Sequence, residues 1–124
     1  MILFNKETPE LLAKHLVNES IGTVSLASYG FHVQAGELSI TCNERVFASI
    51  SSAVHVWDGD NPNGAPWGLL VRQIVVGVSL TKPELLRLSL ESGDYLEIET
   101  VEGPYESVLV DFPRKGEEIV MAIY

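Results

Sequence analysis

The chain of 124 residues contains little cysteine and no long apolar run. Its single cysteine, Cys42, cannot form an intramolecular disulfide, which is typical of a protein in a reducing compartment. No apolar run approaches the roughly 20 residues that a membrane-spanning helix needs, and the first residues lack the basic flank and cleavage site of a secretory signal. These absences predict a cytoplasmic protein without a membrane segment, and Cys42 is predicted to be a buried, unreactive thiol.

Basic residues are also scarce. Eight Lys and Arg residues stand against 17 Asp and Glu residues, which gives a formal net charge of -9. No basic cluster larger than Arg114-Lys115 occurs, and nucleic acids or anionic membranes require one. The charge predicts a protein partner that is itself basic, although the same charge also serves to keep a domain in solution.

Recognisable catalytic and metal-binding motifs are absent as well. The three histidines share no metal-ligand spacing with one another or with the cysteine. The acidic loop that begins at Asp58 resembles a calcium-binding loop, but Pro62 and Leu69 stand where that motif requires oxygen ligands. Neither a Gly-x-Ser-x-Gly elbow nor a phosphate-binding glycine-rich loop is present. We therefore expect no metal, no cofactor and no catalytic residue, and we interpret the chain as a protein that is not an enzyme.

One helix is predicted near the N-terminus, over about residues 9–18. Thr8, Pro9 and Glu10 supply a capping residue, a proline at the first helical position and an acid in the first turn. Leu12 and Leu16 share one face, so the helix is expected to pack on a sheet through that face.

Apolar and polar residues alternate along most of the remaining chain, with polar turns a few residues apart. Val46–Val56 is a long β-rich run, and Leu69–Leu80 is predicted to be another. One face of the latter is predicted to carry Ile74, Val76, Val78 and Leu80. The Gly- and Pro-rich loop 57–68 is too short to link two domains. We predict one domain, 1–124, of the α+β class and mostly β, with an antiparallel sheet or meander of roughly seven to nine strands. A half-open barrel and a sandwich are both compatible with this pattern.

The clearest single element is the hairpin Leu86–Ile98. A three-residue Ser92–Asp94 loop with Gly93 in a left-handed conformation is predicted, because it matches apolar residues across the two strands. The predicted apolar pairs are Leu90 with Leu96 and Leu88 with Ile98. Glu97 and Glu99 then belong to the opposite face, which is predicted to be solvated.

Aromatic and acidic residues around the loops supply the candidate binding surface. Trp57 and Trp67 bracket the acidic loop Asp58–Gly64, and aromatic residues beside such a loop are typical of recognition surfaces. The alternative is that both tryptophans close the hydrophobic core at the loop ends, since large aromatic side chains are mostly buried. The residues predicted to contact a partner are Trp57, Asp58, Asp60, Trp67, Glu97, Glu99, Glu102, Tyr105 and Glu106.

The middle of the chain shows a series of patterned features. They are a strand pair, a leucine-rich strand entry, a hairpin with a central Gly-Asp and a final Tyr-Glu-Ser, at Leu38–Ile50, Gly68–Val76, Leu86–Ile98 and Tyr105–Ser107. In these features Leu38–Phe112 resembles small bacterial proteins of unknown function, some of which are encoded as immunity proteins beside polymorphic toxins. The resemblance implies a compact α+β domain and assigns no catalytic residue.

The leading interpretation is a non-enzymatic bacterial binding protein of the immunity type, which occludes a basic toxin through an acidic surface. One alternative is a structural module that forms a homodimer through an exposed strand such as Glu118–Tyr124. Another is a small-molecule-binding domain with a pocket between helix and sheet.

Overall fold

Ten β-strands and one α-helix form the described part of the chain, and they confirm the α+β, mostly antiparallel class. The predicted number of roughly seven to nine strands is too low. The computed structural model describes residues 3–27, 30–58, 66–101, 107–112 and 121–124. The strands are β1 (Ile21–Ala27), β2 (Gly30–Ala35), β3 (Leu38–Cys42), β4 (Val46–Ile50), β5 (Ala53–Trp57), β6 (Val75–Lys82), β7 (Leu85–Leu90), β8 (Tyr95–Glu99), β9 (Val108–Asp111) and β10 (Met121–Ile123). Helix α1 spans Thr8–Leu16, and a 3₁₀ helix spans Trp67–Leu70.

The strands form two antiparallel sheets of five strands each, which do not close into a barrel. The order is β1-β2-β3-β9-β10 in the first sheet and β5-β4-β8-β7-β6 in the second, so the chain crosses between them after β3 and again after β8. Alternate residues of β2, β3, β4 and β7 are buried in one hydrophobic core. Each sheet therefore has one face on a shared core and one outer face, as in a sandwich.

Helix α1 begins close to its predicted start and ends two residues before its predicted end. The side-chain oxygen of Asn5 accepts hydrogen bonds from the backbone N–H groups of Glu7 at 2.9 Å and Thr8 at 3.0 Å. Asn5, rather than the predicted Thr8, thus satisfies free N–H groups at the start of the helix. Leu12 and Leu16 are buried on one face, as predicted. Within the described ranges, no helix is long and apolar enough to cross a membrane.

The N-terminal segment covers one edge of the second sheet. The Phe4 N–H donates to the Pro83 carbonyl at 3.2 Å, and α1 packs against β6. After the helix, Ser20 forms a β-bridge with Ile74. This bridge joins the two sheets at their β1 and β6 edges. Strands β5 and β10 form the opposite edges of the two sheets.

A turn divides the β-rich run at 46–56 into two strands, and no residue typical of turns marks it in the sequence. Ser51 and Ser52 have φ angles of 53° and 71° and connect β4 to β5. A two-residue hairpin turn with two positive φ angles usually selects Asn and Gly. Because both positions are serine, the turn carries no sequence signal.

Strand β6 differs from the predicted Leu69–Leu80 strand. The first part of that segment is the 3₁₀ helix and a turn, and a β-bulge follows Val75. Because a bulge places two residues opposite one, Val75 faces the core, whereas Ile74 and Val76 are 37% and 49% exposed. The predicted face is therefore wrong before the bulge. After it, Val78 and Leu80 pack against the core as predicted.

The β7–β8 hairpin has the predicted faces but a different register. Leu88 lies opposite Leu96, and the Leu90 N–H donates to the Asp94 carbonyl at 2.9 Å. The three-residue loop is therefore 91–93, one residue earlier than predicted, and the predicted apolar pairs are wrong. A shift of two positions along the partner strand keeps every side chain on its own face, so apolar matching does not distinguish the two registers.

Gly93 decides between them. Its φ is 96°, in the left-handed region. A three-residue hairpin loop commonly places its left-handed residue last, after a type I turn. This rule predicts the loop 91–93 and could have been applied to the sequence alone.

Replacing Gly93 with alanine is expected to lower the free energy of unfolding by about 1 kcal/mol. The cost is backbone strain, because a Cβ at this position meets no atom within 4 Å. Gly68→Ala is the matched control, since Gly68 has equally open surroundings and no positive φ. Urea unfolding of both variants tests this, and equal stabilities would contradict it.

Candidate functional site

The two tryptophans that bracket the acidic loop lie in the hydrophobic core. Trp57, at the end of β5, is 1% exposed, and Trp67, in the 3₁₀ helix, is 4% exposed. Their ring centroids lie 5.8 Å and 5.4 Å from that of Phe31. The structure therefore supports the core interpretation, and in this conformation neither ring offers a surface to a partner.

Glu97 is on the outer face of β8, as predicted, but it is only 9% exposed rather than solvated. It lies between Phe47 of β4 and Arg87 of β7. Its Oε2 accepts hydrogen bonds from Thr81 Oγ1 at 2.6 Å and from Arg87 Nε at 3.2 Å. The prediction of a solvated side chain is wrong because residues of the neighbouring strands cover the central strand.

Glu99, two residues further along the same face, is 8% exposed and also paired. Its two carboxylate oxygens accept from Arg45 Nε at 2.8 Å and Nη2 at 2.7 Å. These hydrogen bonds and the charge of Glu99 raise the pKa of Arg45, and the charges of Asp58 and Glu44 add to the effect. Asp58 is half-buried at the end of β5 and is thus part of the acidic surroundings of Arg45.

Two arginines and two aromatic rings lie together on the outer face of the second sheet. The Arg87 guanidinium carbon lies 3.9 Å from the centroid of the Tyr95 ring, and that of Arg45 lies 5.5 Å from the centroid of Phe47. We call these four residues the Arg/aromatic surface. Because Glu97 and Glu99 neutralise the two arginines, the surface has little net charge of its own. Asp58 and Glu44 are the further acidic residues close enough to Arg45 to raise its pKa.

The sequence did not single out these four residues. Arg87 alternates with Leu86 and Leu88, which was sufficient to place it on the outer face. The cross-strand partners of Arg87 depend on strand order, which the sequence does not show. Glu97 and Glu99 were predicted for this face, but as ligands for a partner rather than as internal counter-charges.

Several predicted contact residues lie outside the described residues: Asp60, Glu102, Tyr105 and Glu106. Ser107, which follows them, is 1% exposed. Its Oγ accepts from the Val101 N–H at 3.1 Å and donates to the Val101 carbonyl at 3.2 Å. Ser107 thus ties together the two ends of the chain segment that contains three of the predicted residues.

Polar groups at the end of the second sheet bond to one another. The Asp94 carboxylate accepts from the Ser51 N–H at 3.0 Å and from Gln73 Nε2 at 2.9 Å, which joins three turns. A shallow depression beside it is lined by Arg72, Gln73, Ile74, Glu91 and Ser92. These contacts favour a structural role for this end of the sheet.

Cys42 is a buried thiol in the hydrophobic core. Cys42 is 1% exposed, as predicted, and burial raises the pKa of its thiol to about 12. The thiolate, which is the nucleophilic form, is therefore scarce at neutral pH. In the ranges that the structure describes, no three His, Cys, Asp or Glu side chains are grouped so that they could hold a metal ion.

The comparisons with known proteins add no relative. No protein-family model matches the chain, and no curated protein or solved structure is significantly similar to it.

Proposed function

We propose that the chain is a non-enzymatic binding protein whose partner docks on the Arg/aromatic surface. The observation that carries the proposal is the stacking of Arg45 and Arg87 on Phe47 and Tyr95, on an outer sheet face. Tyr, Phe and Arg are enriched at the centres of protein interfaces, where they supply most of the binding energy.

Charge indicates what kind of protein fits. The surface itself is close to neutral, but Asp58 and Glu44 lie near Arg45, and the whole chain carries a net charge of -9. A neutral aromatic centre with an acidic rim suits a basic partner, because rim charges accelerate association and exclude acidic competitors. An immunity-type inhibitor that occludes a basic toxin is the function of this kind that the sequence resemblance implies.

In this proposal Glu97 and Glu99 do not contact the partner directly. An arginine of a partner that approached either carboxylate would have to displace Arg87 or Arg45 from it. Mutual attraction between carboxylate and guanidinium is already satisfied within the chain, so we assign the two glutamates the role of positioning the arginines.

Site-specific photo-crosslinking tests the proposal. A benzophenone amino acid at Ser49, which lies opposite Tyr95 on the outer face, is expected to trap one basic protein in cells of the native organism. Ser39 is the matched control, because it is also half-buried but lies on the outer face of the first sheet. The purified partner should lose its activity when the chain is added in equal amount.

Three outcomes would contradict the proposal. The first is equal capture from positions 49 and 39, and the second is no adduct from position 49. The third is an adduct with an acidic protein other than a second copy of the chain, whose association rate is insensitive to salt, since steering by exposed charges weakens as ionic strength rises.

A further inference from the structure

Strand β5 ends the second sheet with an uncharged, exposed edge. In the described part of the chain it pairs with β4 and is the last strand of the order. Val54 and Val56 are 63% and 40% exposed. They lie on the outer face, because they are opposite Ser49 and Phe47. The sequence Ala53–Trp57 contains no Lys, Asp, Glu or Pro, the residues with which proteins commonly protect an edge against pairing.

The other sheet edges are covered, interrupted or short. Helix α1 packs against β6. Strand β1 is longer than β5 and also uncharged, but a β-bulge follows Ile21, its Val24 is half-buried, and the bridge from Ser20 to Ile74 joins its beginning to the second sheet. Strand β10 has only three residues, and very short edge strands pair poorly. Among the described strands, β5 is thus the edge that combines length, neutrality and exposed valines.

We propose that the chain forms a homodimer in which β5 pairs antiparallel with β5 of a second copy. A two-fold axis at His55 gives the largest overlap, since Ala53 then lies opposite Trp57 of the second copy and all five residues of the strand are used. The same register places Val54 opposite Val56 of the second copy, twice. Four valines then form an apolar cluster on the outer face, and such cross-strand β-branched pairs are the unit of sheet stabilisation.

Self-complementarity is what favours a second copy over an unrelated peptide. An edge with no charge offers no electrostatic selection of a foreign strand, whereas its own sequence matches valine with valine. The net charge of -9 per chain does not oppose this pairing locally. Position 58 comes to lie opposite position 52 of the second copy. The two Asp58 carboxylates are then about six residues or 20 Å apart, roughly two Debye lengths at physiological salt.

In the dimer, the second sheets of the two copies join at β5 into one continuous sheet. The two Arg/aromatic surfaces then lie on the same side of that sheet. The inference concerns the edge of the sheet and is independent of whether that face binds another protein. Failure of one proposal therefore leaves the other standing.

Sedimentation equilibrium of the purified chain tests the dimer. At roughly 100 µM, above the dissociation constants typical of weak interfaces, the mass of the wild type is expected to approach twice 13.6 kDa. Val54→Lys is expected to return it to 13.6 kDa, because two lysines then lie in the valine cluster. Val54 is largely exposed, so we expect this variant to fold as a monomer. A cooperative thermal transition and a wild-type circular dichroism spectrum check this, and the melting temperature is expected to fall only by the part that dimerisation contributes.

Two further variants make the test specific. Val76→Lys alters another exposed valine, on β6, which is 49% exposed against 63% for Val54, and should leave the dimer intact. Met121→Lys alters the edge at β10, which is the alternative suggested by the sequence, and should also leave it intact. A wild type that stays monomeric overturns the proposal. So does a dimer that survives Val54→Lys or that Met121→Lys abolishes.

Discussion

Trp57→Ala is expected to lower the free energy of unfolding by about 3–5 kcal/mol, the usual cost of removing a large aromatic side chain from a core. Trp57 is among the largest fully buried side chains and contacts Phe31 across the two sheets. The variant loses this contact and leaves a cavity between the sheets. Urea unfolding followed by circular dichroism should show the loss, with a fall in melting temperature of roughly 10–20 °C.

Two companion variants separate packing from other effects. Leu69→Ala removes a side chain that is 57% exposed in the neighbouring 3₁₀ helix. It should change stability by less than about 0.5 kcal/mol. Trp57→Phe should cost clearly less than Trp57→Ala, because it keeps a ring beside Phe31 and removes the indole Nε1, which has no hydrogen-bond partner among the residues that the structure describes. If Trp57→Ala were as stable as Leu69→Ala, Trp57 would belong to the surface and the core interpretation would fail.

Most of the architecture could be predicted from the sequence because it depends on local patterns. Alternation in β2, β3 and β4 identified strands with one buried face, and Leu12 with Leu16 identified the packing face of the helix. What the sequence concealed are the places where the backbone departs from a regular pattern. The Ser51-Ser52 turn and the bulge after Val75 are both of this kind.

The contacts within the candidate site could not be predicted in the same way, because they depend on which strands are neighbours in the sheet. Alternation correctly assigned Glu97 and Glu99 to the outer face, but it cannot show that β4 and β7 bring an arginine to each of them. A polar residue on an outer face is solvated only if the flanking strands leave it open. On a central strand such as β8, long neighbouring side chains cover it. The two carboxylates therefore form ion pairs within the chain.

The pair formed by Arg45 and Glu99 gives the second large expected effect. Glu99 is almost completely buried, whereas 53% of the Arg45 side chain is exposed. Removing the arginine therefore leaves the buried Glu99 carboxylate without a counter-charge. Removing the glutamate leaves an arginine that water can solvate. Arg45→Met is expected to lower the free energy of unfolding by about 1–3 kcal/mol, below the full cost of breaking a completely buried pair because of this exposure. Glu99→Leu should cost less than about 1 kcal/mol.

The double variant completes the test. Arg45→Met with Glu99→Leu should be about as stable as Glu99→Leu alone, because no unpaired charge remains and an apolar pair of similar size takes the place of the ion pair. Lys14→Met, which removes an exposed cation from α1, controls for the change in net charge and should be neutral within about 0.5 kcal/mol. Urea unfolding of the four variants measures the coupling. If Arg45→Met were no more destabilising than Lys14→Met, Glu99 would not need its arginine for folding. It would then again be a candidate for direct contact with a basic partner.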